Sequence, residues 1–193
     1  MKPRFFMIAP LIAGLVFCLP AAQGWDRGGG VYRGGAGYNP MTGGYGEWHQ
    51  AYNPYTGTGS SSRYDSNPYT GRSASSQTTY NTYTNSYMHS AQASNEFTGR
   101  SYSRTSSYSP EGGYSRSASG YNAYTGGSYS RSSSHNPYTG EGSRSYSYNN
   151  PYTGRSGSGQ ATYNPYNNTY SRSAQGFNPY TGSSYSRSSI YYR

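Results

Sequence analysis

The chain divides into two kinds of pattern. From Phe5 to Leu19 nearly every position is apolar, and no run of that kind recurs beyond residue 24. After that point the branched aliphatic side chains are Val31 and Ile190, and leucine is absent. The large apolar groups other than tyrosine are Trp25, Met41, Trp48, Met88, Phe97 and Phe177. No stripe of apolar residues follows the 3.6-residue spacing of a helix, so no helix is expected there. Tyrosines instead punctuate a background of serine, glycine, asparagine and arginine.

That background is periodic. Asn53-Pro54-Tyr55-Thr56-Gly57 recurs unchanged as Asn67-Pro68-Tyr69-Thr70-Gly71, Asn136-Pro137-Tyr138-Thr139-Gly140, Asn150-Pro151-Tyr152-Thr153-Gly154 and Asn178-Pro179-Tyr180-Thr181-Gly182. Weaker copies begin at Asn39, Asn81, Asn95, Asn122 and Asn164, and an eroded one begins at Ser109. Successive starts are 14 residues apart, with a single 13-residue step between Ser109 and Asn122. A fixed internal period marks an array of like units. Each residue of the motif favours a tight turn: asparagine bonds its own downstream backbone, proline presets φ, and glycine accepts the positive φ that closes a hairpin loop.

Between the turns lies a second theme, Tyr-Ser-Arg-Ser, at Tyr114, Tyr129, Tyr170 and Tyr185, with a variant at Tyr102. In the copies that begin at Asn95, Asn122 and Asn178 this tyrosine falls seven residues after the asparagine. The unit therefore reads as turn, short strand, polar reversal, short strand. Side chains alternate along a strand, so an even period is expected to return every tyrosine to one face and build tyrosine ladders.

Composition weighs against a packed core. Backbone ordering costs roughly 1–2 kcal/mol per residue, and burial at about 25 cal/mol per Å² has few aliphatic groups to draw on here. The mean hydropathy is −0.99. The expectation is a largely disordered low-complexity repeat chain or, where ordered, an all-β array of short repeated hairpins with a 14-residue period.

The apolar start changes the setting. Lys2 and Arg4 precede it, and Pro20-Ala21-Ala22-Gln23-Gly24 supplies the small residues that a signal peptidase recognises, with Ala22 and Gly24 at the cleavage positions. The run is shorter than the ~20 residues that span a bilayer and is interrupted by Pro10 and Gly14, so a cleaved signal is expected rather than a retained anchor. Residues 1–24 thus read as a signal peptide, 25–38 as a flexible glycine-rich lead-in and 39–193 as the repeat array. The expected location is secreted, periplasmic or on the cell surface, with no stable membrane span after cleavage. Cys18 is the one cysteine and lies inside the signal, so no disulfide staples the mature chain.

Beyond residue 24 thirteen basic residues, all arginine, face six acidic ones, a net charge of +7. Arginine stacks on aromatic rings and pairs in a bidentate way with carboxylate, phosphate or sulfate. Arg116, Arg131, Arg172 and Arg187 are the candidates for cation–π or polyanion contacts. Catalytic chemistry has little to work with. His49, His89 and His135 share no metal-ligand spacing, no serine sits in a G-x-S-x-G elbow, and the mature chain has no lysine for a phosphate loop. No catalytic residue, metal, cofactor or small-molecule substrate is expected.

The unit Tyr52-Asn53-Pro54-Tyr55-Thr56-Gly57 resembles the tyrosine-rich repeats of secreted bacterial proteins, which implies export. Asn67-Pro68-Tyr69-Thr70-Gly71-Arg72 is more distantly similar to the YD repeats of RHS-type surface proteins, but asparagine stands where that family has aspartate and its hydrophobic strands are missing. The alternation of tyrosine with serine, glycine and arginine also resembles low-complexity segments of RNA-binding proteins, a role that export opposes. Two functions follow as expectations: a non-enzymatic structural, adhesive or matrix protein that self-associates through tyrosine and arginine, or a cationic extracellular binder of acidic polysaccharide or nucleic acid.

Overall fold

The computed structural model describes residues 30–192, and the expected signal segment, with Ala22 and Gly24, lies outside them. Twelve strands follow one another: β1 (Val31–Asn39), β2 (Gly44–Asn53), β3 (Thr58–Asn67), β4 (Arg72–Asn81), β5 (Ser86–Asn95), β6 (Arg100–Ser109), β7 (Gly113–Asn122), β8 (Ser128–His135), β9 (Gly142–Asn150), β10 (Arg155–Asn164), β11 (Thr169–Asn178) and β12 (Ser183–Tyr192). Their order in space is their order in sequence, so one antiparallel meander forms a single-layer sheet. The expectation of a largely disordered chain is overturned, while the all-β hairpin alternative holds. Much of the segment expected as a flexible lead-in is β1.

Order arises without an aliphatic core. Of the non-glycine residues described, Ala118 and Ser106 are the buried ones, at 4% and 5% exposure. What replaces the core is an unbroken ladder of backbone hydrogen bonds, aromatic rings laid over neighbouring strands, and contacts between turns. Each unit is one strand of about ten residues and one loop of four, not two short strands. The expected mid-unit reversal does not exist: Tyr102, Tyr114, Tyr129, Tyr170 and Tyr185 all lie inside strands.

The turns behave as their residues predict. Asn53 Oδ1 accepts from the N–H groups of Tyr55 and Thr56 at 2.9 and 3.3 Å, and Gly57 closes the loop at φ 64°. Asn85 and Asn168 stand at the glycine position of their copies and adopt φ 48° and 49°. Asparagine tolerates that region better than other side chains. In the eroded copy Ser109 Oγ takes the asparagine's part, accepting from Gly112 N–H at 2.8 Å.

Turns also hold one another. Alternate turns share an end of the sheet, and those that begin at Asn67, Asn81, Asn95, Asn122, Asn136, Asn150, Asn164 and Asn178 rest on the turn two units before. Where proline is absent, the free N–H bonds back: Thr82 to Gly57 O at 2.8 Å, Glu96 to Gly71 O at 2.9 Å and Ala123 to Gly99 O at 2.7 Å. Where proline is present from Pro137 onward, its ring lies on the earlier glycine instead, as Pro151 does on Gly126 and Pro179 on Gly154. Asparagine adds a rung, with Asn67 Nδ2 donating to Thr42 O at 2.8 Å.

Register corrects the expected tyrosine ladder. Tyr52 pairs with Gly59, but its counterpart one unit later, Ser66, pairs with Tyr45. Tyr45 and Tyr52 lie an odd number of residues apart on β2 and so point to opposite faces. A strand of ten residues with a four-residue loop therefore turns the repeat over at every step, and equivalent positions return to one face only after two units.

Candidate functional site

Cross-strand partners share a face and neighbours along a strand alternate, so the registers assign every strand residue to one of two faces. The two differ sharply in chemistry. All eleven arginines among the described residues lie on one face, here the arginine face. The other face is mostly serine and threonine.

The repeat achieves this by slipping its second motif against the inverting turn. Tyr-Ser-Arg-Ser begins seven residues after the turn asparagine in β8 and β12 but six after it in β11. In β7, behind a loop one residue shorter, it begins five residues after Ser109. Each offset is the one that returns Tyr and Arg to the same face. The expected face constancy is thus restored by the motif's drift and not by the 14-residue period.

Across the arginine face, positions line up in rows that run perpendicular to the strands. One inner row reads Arg116, Ser133, Arg144, Ala161, Arg172, Ser189 from β7 to β12. The next reads Arg104, Ala118, Arg131 and later returns to Arg187 beside Ala174. In the first row the arginines recur every second strand, about 9.5 Å apart; in the second, Tyr146 and Gly159 stand between Arg131 and the Ala174–Arg187 pair. Outside these rows lie tyrosine rails. Tyr80, Tyr87, Tyr108 and Tyr114 are consecutive in one, with the Tyr87 and Tyr108 ring centroids 6.1 Å apart.

The other rail pairs rings with bare backbone. Gly120 lies between Tyr102 and Tyr129, and the Gly157–Gly176 pair lies between Tyr148 and Tyr185. A Cβ on Gly157 would come within 2.5 Å of the Tyr148 ring, and one on Gly176 within 2.4 Å of the Tyr185 ring. Aromatic rings covering a strand glycine restore the packing that glycine lacks and pin the register. At the sheet end that carries the turns at Asn39, Asn67, Asn95, Asn122 and Asn150, a trough of about 1200 Å³ runs past nine strands.

Charge on this face is uncompensated. Among the described residues its one strand carboxylate, Asp65, already holds Arg63 at 2.6 Å and keeps that guanidinium more firmly protonated through the hydrogen bond and its charge. The Nε atoms of Arg104 and Arg116 are shielded from solvent and have no hydrogen-bond partner. Tyr185 is pushed above the usual phenol range by partial desolvation and by the neighbouring Tyr146 and Tyr148 phenols.

The serine face is quieter. Hydroxyls pair across strands as Ser103–Ser119, Thr105–Ser117 and Ser107–Ser115, and again as Ser130–Ser147, Ser132–Ser145 and Ser134–Ser143, all at 2.6–2.8 Å. Near β1 it carries Tyr45, whose phenol donates to Glu47 at 2.7 Å and is raised mainly by that bond.

The expected contact residues Arg116, Arg131, Arg172 and Arg187 fall together on one face, and the structure adds Arg33, Arg63, Arg72, Arg100, Arg104, Arg144 and Arg155. Counting residue parity from each turn could have found these seven. Trp48 and His49, adjacent in sequence, separate: Trp48 covers Gly35 on the arginine face, while His49 bonds Tyr32 at 2.7 Å on the other. The five unchanged turn motifs sit at the two ends of the sheet, with Tyr55, Tyr69, Tyr138, Tyr152 and Tyr180 all at least 66% exposed. Among the described residues no three His, Cys, Asp or Glu side chains group as a metal site. No protein-family model matches the chain, no curated protein is significantly similar to it, and no solved structure matches it.

Proposed function

We propose that the chain is a non-enzymatic structural protein, exported from the cell, that self-associates into a surface coat, adhesive or matrix. The observation that carries this reading is the single layer: among the described residues nothing packs on either face of the sheet, and β1 and β12 each pair on one side only. The outer N–H and C=O groups of an edge strand are a template for another chain. β12 is poorly protected, with neither proline nor glycine, and it exposes Ile190 and Tyr192. Copies added along the edges extend the meander, and copies meeting at the arginine face bring guanidinium groups onto tyrosine rings.

Export rests on the basic, apolar and small-residue segments of residues 1–24. The test is light scattering with circular dichroism on residues 25–193 over a concentration series, with and without added salt. Particle size and β-signal that rise together and survive salt support assembly through backbone and aromatic contacts. A chain that stays monomeric at high concentration sinks the proposal.

A further inference from the structure

We propose that the arginine face binds a linear acidic polysaccharide carrying one carboxylate or sulfate for every two sugars, laid across the strands along the arginine rows. This surface is separate from the edge strands β1 and β12 and does not require assembly through them, but it is the face proposed above for contact between copies, so bound glycan and face-to-face contact exclude each other.

Charge is segregated between the two faces. Solubility alone asks only that charges be spread over the surface, yet among the described residues eleven arginines share one face with a single strand carboxylate. Arg104, Arg116, Arg131 and Arg144 lie on successive strands, each diagonal to the next at about 7–8 Å, within the screening length of about 8 Å in physiological salt, so the free protein bears a repulsion that an anion would relieve.

Spacing then selects the ligand. In the inner row Arg116, Arg144 and Arg172 are separated by Ser133 and Ala161, so a floor of small side chains lies between successive guanidiniums. The two-strand repeat is close to the length of a disaccharide in an extended glycan, which lets one anionic group meet each arginine in a bidentate pair. A nucleic acid duplex presents a phosphate about every 3.4 Å along each strand, far denser than the row. The flanking tyrosines, such as Tyr129 and Tyr146 at 43% exposure, offer ring faces against which the C–H faces of sugars can pack.

The experiment uses the full chain with hyaluronate, in which every second sugar is a uronate, as the probe. Dextran and double-stranded DNA, at equal sugar and equal charge concentration respectively, are the comparators. The decisive variant exchanges neighbours: Arg116→Ser with Ser117→Arg, Arg144→Ser with Ser145→Arg and Arg172→Ser with Ser173→Arg. Composition and net charge stay constant while three guanidiniums cross to the serine face.

Hyaluronate is expected to bind at low salt and dextran not to bind. The exchange should weaken hyaluronate at least tenfold and reduce the slope of log affinity against log salt by about one unit per displaced arginine. Should the exchanged chain misfold by circular dichroism, two charge-matched variants replace it: Arg116→Ser/Arg144→Ser/Arg172→Ser, expected to lose binding, and Ser119→Glu/Ser132→Glu/Ser147→Glu, expected to retain it. Binding that follows net charge regardless of face, tighter binding of DNA than of hyaluronate, or no retention of hyaluronate at low salt would each overturn the proposal.

Discussion

Gly59→Ala tests whether rings over glycines stand in for a core. Gly59 lies on β3 between Tyr52 and Tyr80, its partners on the two neighbouring strands. An added Cβ would sit 2.0 Å from Tyr80 Cζ and 2.3 Å from its hydroxyl oxygen, so the ring must leave the glycine. Leaving also breaks the stack with Tyr52, whose ring centroid is 6.2 Å away at an interplanar angle of 14°. Overpacking of this kind costs about 1–3 kcal/mol and an aromatic pair contributes about 0.5–1.5 kcal/mol. Tyr80 is 40% exposed and can swing outward, so a net loss of about 2 kcal/mol is expected.

Gly37 supplies the control, since a Cβ there meets nothing within 4 Å. Gly37→Ala should be neutral or stabilising by about 0.5 kcal/mol through the reduced backbone entropy of the unfolded chain. The assay is urea unfolding followed by circular dichroism, with hydrogen exchange of β3 and β4 amides to localise the effect. In a Tyr80→Ala background the cost of Gly59→Ala should largely vanish. Equal stability of Gly59→Ala and Gly37→Ala, or a cost that persists without Tyr80, would show that the ring over Gly59 does not stabilise the sheet.

Three further outcomes are expected. Gly57→Ala should destabilise by about 1–2 kcal/mol, because its φ of 64° disfavours any Cβ and the added carbon would also lie 2.6 Å from Thr82 Oγ1, whereas Asn85→Gly should be tolerated; thermal melts compare the two. Asn53→Ala removes two hydrogen bonds from the loop and should cost about 1 kcal/mol, read as a lower urea midpoint with unchanged slope. Tyr45 should ionise later than an ordinary phenol in a phenolate-absorbance titration, and Glu47→Gln, which removes the neighbouring charge, should shift it part of the way back. Since its folded-state pKa lies above the unfolded value of 10.0, any stability it contributes is present below that pH and lost as pH rises through the folded-state value.

Local chemistry was legible in the sequence. Asn53, Pro54 and Gly57 predict a hairpin loop because each acts on its own backbone or that of residues two or three away. Repetition of that loop implied an all-β array, and the scarcity of large aliphatic residues after residue 24, Val31 and Ile190 being the branched ones, excluded a conventional core. What the sequence concealed were quantities set by pairing between strands. Whether fourteen residues make one strand or two depends on register. The face of Arg116 depends on the length of the loop that starts at Ser109, because one residue more or less turns every following side chain over.

Tertiary structure decided the rest for the same reason. The ring of Tyr80 reaches Gly59 across a hairpin turn, and the N–H of Thr82 reaches Gly57 from two units away, contacts that no local propensity encodes. Composition suggested disorder because it was weighed against a buried interior. The folded sheet is held instead by neighbour-to-neighbour ladders, rings on glycines and turns on turns, and each of these exists only once the strands are in register.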